Sequence, residues 1–158
     1  MSLSAKVLEP SEASKVSLLR KALKARLWSE RASFSPGSGF RATCPLCGEP
    51  IKDGQSGDLH EALINRGKVP GHEYEALIYS RFNCVLAHHE CHMRIMGTGG
   101  DAVFEKCARH IIRFEGRQAV VDWLETIQAY FPKVAGETLA RLCQVTASEQ
   151  EPPGSRNR

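Results

Sequence analysis

Four cysteine and histidine side chains occur at a spacing that is typical of zinc ligands. Cys44 and Cys47 are separated by two residues and followed by Gly48, and His88 and Cys91 are separated by the same gap. Two such pairs can close one tetrahedral zinc site, and four protein ligands leave no position open to a substrate. The alternatives are a redox-active Cys-x-x-Cys or unrelated surface thiols, but the strand–helix context of a thiol oxidoreductase is absent. We therefore predict a structural zinc site formed by these four residues.

Two further residues compete as ligands. Cys84 and His89 lie close to the second pair in sequence. His89 does not keep the two-residue spacing, and Cys84 falls in a predicted strand. The six cysteines of the chain are not expected to form a disulfide framework, because the N-terminus lacks a secretory signal pattern and no apolar run approaches the length of a membrane span. These features predict a cytoplasmic protein with no membrane partner.

A second group of polar residues lies between and directly after the predicted zinc ligands. Residues 58–61 read Asp-Leu-His-Glu, Asn83 lies five residues before His88, and His92 lies nine residues after Asn83. Carboxylate and imidazole groups can bind a divalent cation, and either can accept a proton from water. Each of these residues alone is unremarkable, so the prediction of a reactive site depends on their joint spacing.

This order of motifs resembles the HNH endonuclease family over residues 44–96. In that family a Cys-x-x-Cys precedes a strand ending in Asp-His, His-His or His-Glu. A hairpin returns through Asn, and a helix opens with the second ligand pair and a final His. The resemblance implies an α+β fold, with a small ββα-metal module that carries zinc knuckles and is flanked by α-helices. The chain differs in having His88 where many relatives have Cys, and in a longer segment between Glu61 and Asn83.

The resemblance also implies roles for the site residues. His92 and one strand residue would hold a catalytic Mg²⁺ or Mn²⁺ ion, and a neighbouring strand residue would be the general base. In one register His60 is the metal ligand and Glu61 the base. In the other, His60 is the base and Asp58 or Glu61 is the ligand. We favour the first, and Asn83 would orient the strand residue because an amide both donates and accepts hydrogen bonds.

The function implied is a DNA endonuclease with little sequence selectivity, resembling stand-alone phage-type proteins that act in genome processing beside a terminase. We expect a monomer or weak dimer. One alternative is a zinc-ribbon DNA-binding adaptor with a vestigial site, which would not need His60, Glu61 and His92. Another is a site-specific homing nuclease, which normally carries an added recognition module. Basic residues that could contact phosphates near the site are Arg66, Lys68, Arg81 and Arg94.

The surrounding sequence must supply the elements that hold this module. The chain has 158 residues and a net charge of +3, so its bulk charge does not by itself indicate a nucleic-acid partner. Residues 1–39 predict a basic amphipathic helix from Ser14 and a linker over 33–39. Residues 40–98 form the predicted module, residues 99–147 the C-terminal helices, and residues 148–158 a disordered tail. The basic residues of the first helix are Lys15, Arg20, Lys21, Lys24, Arg26 and Arg31.

Overall fold

The computed structural model describes residues 11–53, 56–95 and 99–145. The predicted tail over 148–158 lies outside the described residues. Two single 3-10 turns occur, at Arg66–Lys68 and His72–Tyr74. The helices and strands are α1 (Glu12–Arg31), β1 (Ser33–Ser35), β2 (Gly39–Thr43), β3 (Pro50–Ile51), β4 (Gly57–Glu61), α2 (Glu75–Ile78), β5 (Cys84–His88), α3 (His89–Met93), α4 (Asp101–Glu115), α5 (Arg117–Gln128) and α6 (Pro132–Gln144).

Helix α1 begins two residues earlier than its predicted start at Ser14. The Ser11 hydroxyl accepts a hydrogen bond from the Ser14 backbone N–H and so acts as the N-cap. Leu23 and Leu27 recur at a four-residue step and are buried against the β4–β5 pair, because residues four apart lie on one face of a helix. Helix α1 therefore supports the strands that carry the site residues.

The predicted linker over residues 33–39 is instead a β-hairpin. Strand β1 pairs antiparallel with β2, and the Ser38 N–H donates to the Ser35 carbonyl at 3.1 Å. Pro36 and Gly37 occupy the central turn positions, and Gly37 has φ of +80°. The composition of the segment correctly indicated a turn, but its Pro and Gly residues obscured the short strand before it.

Strands β4 and β5 form a separate two-stranded antiparallel sheet. Its register places Asp58 opposite Ala87 and His60 opposite Val85. The connection between the strands, residues 62–83, contains α2 and both 3-10 turns. Helix α3 follows β5 without a loop and contacts both strands. The chain is thus a mixture of helices and small sheets, which confirms the predicted α+β class.

The C-terminal helices form the larger of two core clusters together with the β4–β5 connection. Gly116, at φ of +85°, separates α4 from α5, and Pro132 occupies the first turn of α6. Buried residues such as Phe104, Ile111 and Leu124 pack against Ile64 and Ile78 of the connection. The helices thereby fix the backbone that leads from one site strand to the other. Within the described ranges, no helix has the length and apolar character needed to cross a membrane.

Candidate functional site

The first half of the candidate metal centre is a tight turn after β2. The Gly48 N–H donates to the Cys44 carbonyl at 2.8 Å, and Gly48 has φ of +78°, a conformation that other residues rarely adopt. The Cys44 N–H donates to the Glu49 carbonyl at 3.0 Å and closes the turn. The chain then enters β3, so that both thiols of the turn are held at the end of the small sheet.

The second half comes from the junction of β5 and α3. His88 ends the strand and Cys91 lies in the helix, and their donor atoms lie with those of Cys44 and Cys47 within 4.8 Å of one another. A tetrahedral zinc site with bonds of about 2.3 Å places sulfur ligands about 3.8 Å apart. The four residues therefore fit a metal ion such as zinc, and this cluster could hold one.

Hydrogen bonds determine which His88 nitrogen faces the cluster. The Nε2 atom lies 3.1 Å from the Pro50 carbonyl oxygen and must donate to it, so Nδ1 carries the lone pair. That Nδ1 atom lies 3.3 Å from the Cys47 sulfur. The His88 backbone N–H also points to the Cys44 sulfur at 3.5 Å. A histidine that binds a metal through one ring nitrogen usually donates a hydrogen bond from the other, which orients the ring, and the Pro50 carbonyl accepts such a bond here.

The acidities of the clustered thiols also fit a cation. Burial opposes ionisation of Cys44, but backbone N–H groups, that of His88 first, outweigh it and lower the pKa of this thiol. Partial burial and the neighbouring Cys47 and Cys44 sulfurs raise the pKa of Cys91 to about 11. Several thiolates cannot share so small a space without a positive charge to offset their repulsion. A bound divalent metal would supply that charge.

Neither competing ligand belongs to the cluster. Cys84 is fully buried in β5, and its thiol donates to the Ile78 carbonyl at 3.4 Å. The His89 Nδ1 atom lies 2.7 Å from Asp58 Oδ2. Both exclusions agree with the sequence, because Cys84 lies in the predicted strand and His89 does not keep the two-residue spacing.

Loss of a cluster ligand should release the metal and weaken folding. We expect Cys44→Ser to lose zinc and to unfold at a lower temperature with reduced cooperativity, because metal binding is coupled to folding in such sites. Zinc content by elemental analysis and thermal unfolding by circular dichroism measure this. His88→Cys is the matched control, since a fourth thiolate also suits zinc and should retain the metal. Parent protein that folds normally without zinc would contradict the assignment.

A second constellation lies beside the cluster, on the face of β4 that meets α3. Asp58 Oδ2 lies 3.1 Å from His92 Nδ1 and 2.7 Å from His89 Nδ1. Partial burial opposes ionisation of Asp58, but the hydrogen bonds from His92 and His89 outweigh it and lower the pKa of the carboxyl. In the described part of the chain, the Cys/His cluster alone brings three or more such donor atoms within 4.8 Å of one another. The donor atoms of Asp58, His89 and His92 are therefore more widely spaced than those of the cluster.

His60 lies next to this constellation and is 1% exposed. Its ring centroid is 5.4 Å from that of His92, and its Nε2 atom has no hydrogen-bond partner among the described residues. Burial, and then the charge of His92, lower the pKa of His60 to about 4, so the ring is neutral at pH 7. An unpartnered buried nitrogen costs about 1–3 kcal/mol, which a water molecule or a cation at this position would offset.

Glu61 is turned away from this group. Side chains alternate along a strand, so Asp58 and His60 share one face of β4 and Glu61 lies on the other. Glu61 Oε2 accepts a hydrogen bond from the Arg66 backbone N–H at 2.6 Å. On the same side, burial and then the charge of Glu61 raise the pKa of Tyr79 to about 12. The structure therefore brings His60 and His92 together with Asp58, and places Glu61 in a separate network.

Asn83 is 0% exposed and ties the β4–β5 connection to the start of β5. Its Oδ1 atom accepts from the backbone N–H groups of Leu63 and Ile64 at 3.1 and 2.8 Å. Its Nδ2 atom donates to the carbonyls of Ile64 and Ile78, each at 2.9 Å. All four hydrogen-bonding positions of the amide are thereby used. The four hydrogen bonds of the Asn83 side chain thus go to backbone groups and not to the side chains of the Asp/His group.

Two of the basic residues expected near phosphates are engaged in ion pairs. Arg81 contacts Glu30 at 2.8 Å and Glu115 at 2.6 Å, and Arg66 pairs with Glu75. The two pairs of Arg81 join distant parts of the chain, with Glu115 lying 34 positions away, and could not be identified from local sequence. The two other basic residues, Lys68 and Arg94, are exposed.

Comparison of the chain with protein-family models, with curated proteins and with solved structures finds no match.

Proposed function

We propose that this chain is a divalent-metal-dependent DNA endonuclease of the HNH type, built on a structural zinc site. The observation that carries the proposal is the contact of Asp58 with His92 beside the buried His60, whose Nε2 atom has no hydrogen-bond partner among the described residues. A carboxylate oxygen and an imidazole nitrogen at this distance suit Mg²⁺ or Mn²⁺ when water and phosphate oxygens complete the coordination.

The order of elements supports this proposal. Strands β4 and β5 are followed at once by α3, and the Cys/His cluster joins the strand β5 end to that helix. The same arrangement is what the family resemblance implies for residues 44–96. The cluster would fix the angle at which α3 leaves the sheet, and so the distance between His92 and Asp58.

Each proposed role follows from the chemistry of phosphodiester hydrolysis. A bound divalent cation would neutralise charge on the phosphate and on the departing oxygen. Asp58 and His92 would hold it. His60 would accept the proton of the attacking water, since its ring is neutral at pH 7 and its Nε2 atom is unused. This assignment adopts the second of the two registers considered from the sequence.

Glu61 and Asn83 take supporting roles in this proposal. Glu61 accepts from the Arg66 N–H, and Asn83 bonds the backbone of residues 63 and 64, immediately after β4. Both therefore hold the chain where it leaves the strand that carries Asp58 and His60. They are positioning residues and need not touch substrate.

One observation favours the adaptor alternative. His60 is 1% exposed, so water would reach it only if DNA or metal binding opened the site. A zinc-stabilised DNA-binding protein with an inactive site would account for that burial without requiring opening.

Conversion of supercoiled plasmid to nicked or linear DNA tests the proposed function. Zinc-loaded protein should cleave when Mg²⁺ or Mn²⁺ is added and remain inactive without added cation. The adaptor alternative predicts plasmid binding in a gel-shift assay with no cleavage under any divalent cation. Activity that needs no added cation would also contradict the proposal.

Helix α1 is expected to contribute phosphate contacts. Lys21 is exposed and Lys24 half-buried on this helix, and Arg26, further along it, pairs with Glu30 at 2.9 Å. We expect Lys21→Ala with Lys24→Ala to weaken duplex binding and to reduce the salt dependence of log Kd by up to about two units, at about 0.9 per lost phosphate contact. Fluorescence anisotropy over a salt series measures this. Lys133→Ala, at an exposed position of α6, is the control, and equal slopes would contradict the prediction.

A further inference from the structure

The β1–β2 hairpin presents two exposed aromatic rings. Phe34 and Phe40 are directly opposite in the strand register and are 64% and 60% exposed. Their ring centroids are 5.4 Å apart in an edge-to-face arrangement. Phe40 shares a face of β2 with Ala42, which is 3% exposed. The apolar face of the small sheet therefore begins in the core and continues outward onto the hairpin.

The hairpin is tied to the candidate metal centre. Next to it, β2 pairs with β3 through Ala42 opposite Ile51 and Thr43 opposite Pro50. The Pro50 carbonyl accepts the hydrogen bond from His88, a residue of the cluster. Phe40 lies only four strand residues, about 13 Å, before Cys44. The β2–β3 pairing and the hydrogen bond between Pro50 and His88 thus link the hairpin to the cluster.

The charge of the hairpin as a whole suits an anionic partner. No Asp or Glu occurs between Glu30 and Glu49. Arg41 follows Phe40 on β2, so its side chain lies on the opposite face of the hairpin, where its Nη1 atom donates to the Lys52 carbonyl at 3.4 Å. The remaining polar side chains of the hairpin are hydroxyls, which can donate to phosphate oxygens. Ser33, Ser35 and Thr43 lie on the face of Arg41, and Ser38 lies in the turn.

We propose that the Phe34–Phe40 pair is a DNA-contacting wedge that seats the duplex next to the candidate nuclease site. This rests on the proposed function, because DNA is the occupant only if the chain acts on DNA. Exposed aromatic rings on one face of a hairpin can enter a groove and pack against bases or sugars, while Arg41 on the opposite face contacts the phosphate backbone. The separation from the cluster is less than one helical turn of duplex, about 34 Å.

Duplex binding without cleavage tests the wedge. The variant Phe34→Ser with Phe40→Ser and the parent are titrated into a fluorescein-labelled 20-base-pair duplex without added Mg²⁺ or Mn²⁺. We expect binding weakened about tenfold or more with an unchanged salt slope, because the lost contacts are apolar. Arg41→Ala should instead reduce the slope. Tyr130→Ser, which removes an aromatic ring that is 58% exposed on another part of the surface, should bind like the parent.

Two outcomes would overturn the wedge. One is equal affinity of the hairpin variant and the parent. The other is a parent that sediments as a dimer and a hairpin variant that sediments as a monomer, which would assign the rings to a contact with a second copy of the chain.

The test of the wedge can be distinguished from the test of the nuclease proposal. A parent that binds through the hairpin but cuts no plasmid contradicts only the proposed function, and a cutting parent with an unaffected hairpin variant contradicts only the wedge.

Discussion

Asp58→Asn should abolish plasmid cleavage while leaving the zinc content and the unfolding temperature close to those of the parent. The amide loses the charge that would hold the cation, and a catalytic cation supplies several kcal/mol of transition-state stabilisation, about a hundredfold or more in rate. His92→Ala should have the same effect, since its Nδ1 atom lies 3.1 Å from Asp58 and its side chain is not part of the Cys/His cluster. Single-turnover nicking rates measure both.

Controls for this pair are available within the chain. His72→Ala removes a histidine whose side chain is 57% exposed and pairs with Glu75, and this variant should cleave like the parent. Zinc analysis of each variant separates loss of the catalytic cation from loss of the structural metal. If Asp58→Asn cleaves at the parent rate, Asp58 is not a ligand and the proposed site is wrong.

His60→Ala should nearly abolish cleavage, whereas Glu61→Gln should change it little. Removal of a general base costs about 100- to 10,000-fold in rate, so His60→Ala should be nearly inactive but still bind the catalytic cation. Glu61→Gln should remain close to the parent, because the amide oxygen can still accept the hydrogen bond from the Arg66 N–H.

The reverse pattern would support the other register. If Glu61→Gln is inactive and His60→Ala loses cation affinity, His60 is a ligand and Glu61 the base. Because His60 is fully buried, its replacement also leaves a cavity, and the unfolding temperature of His60→Ala must be measured alongside its rate.

The metal cluster is the part of the site that sequence predicts best. Two ligand pairs with the same gap restrict the local backbone strongly, and Gly48 marks the turn behind the second thiol. The C-terminal helices were equally predictable, since Gly116 and Pro132 separate regular apolar patterns. These features depend on residues that are close together in the sequence, and they can therefore be recognised without knowledge of the tertiary structure.

The orientation of β4 could not be decided in the same way. Asp58, His60 and Glu61 all have suitable chemistry, and only the pairing with β5 and the position of α3 determine which of them face His92. The strand period of two places Asp58 and His60 on one face, a sequence signal that would have favoured the second register over the first. The His89 contact with Asp58 likewise required the position of α3.

Long-range polar contacts could not be predicted from the sequence either. Arg31 donates to the Cys84 carbonyl at 3.0 Å and pairs with Glu115, 84 positions away in the chain. Such contacts depend on how α1, β5 and α4 converge. The β1 strand was obscured for a local reason, since Pro36 and Gly37 are equally typical of a linker and of a tight hairpin turn.

Binding of Mn²⁺ to the zinc-loaded protein tests most directly the assignment of two separate metal sites. Titration followed by electron paramagnetic resonance should show one Mn²⁺ bound per chain in the parent, with zinc retained, because Asp58 and His92 lie outside the Cys/His cluster. Asp58→Asn should lose this binding and keep its zinc. Mn²⁺ binding that persists in Asp58→Asn, or that occurs only as zinc is released, would contradict the account.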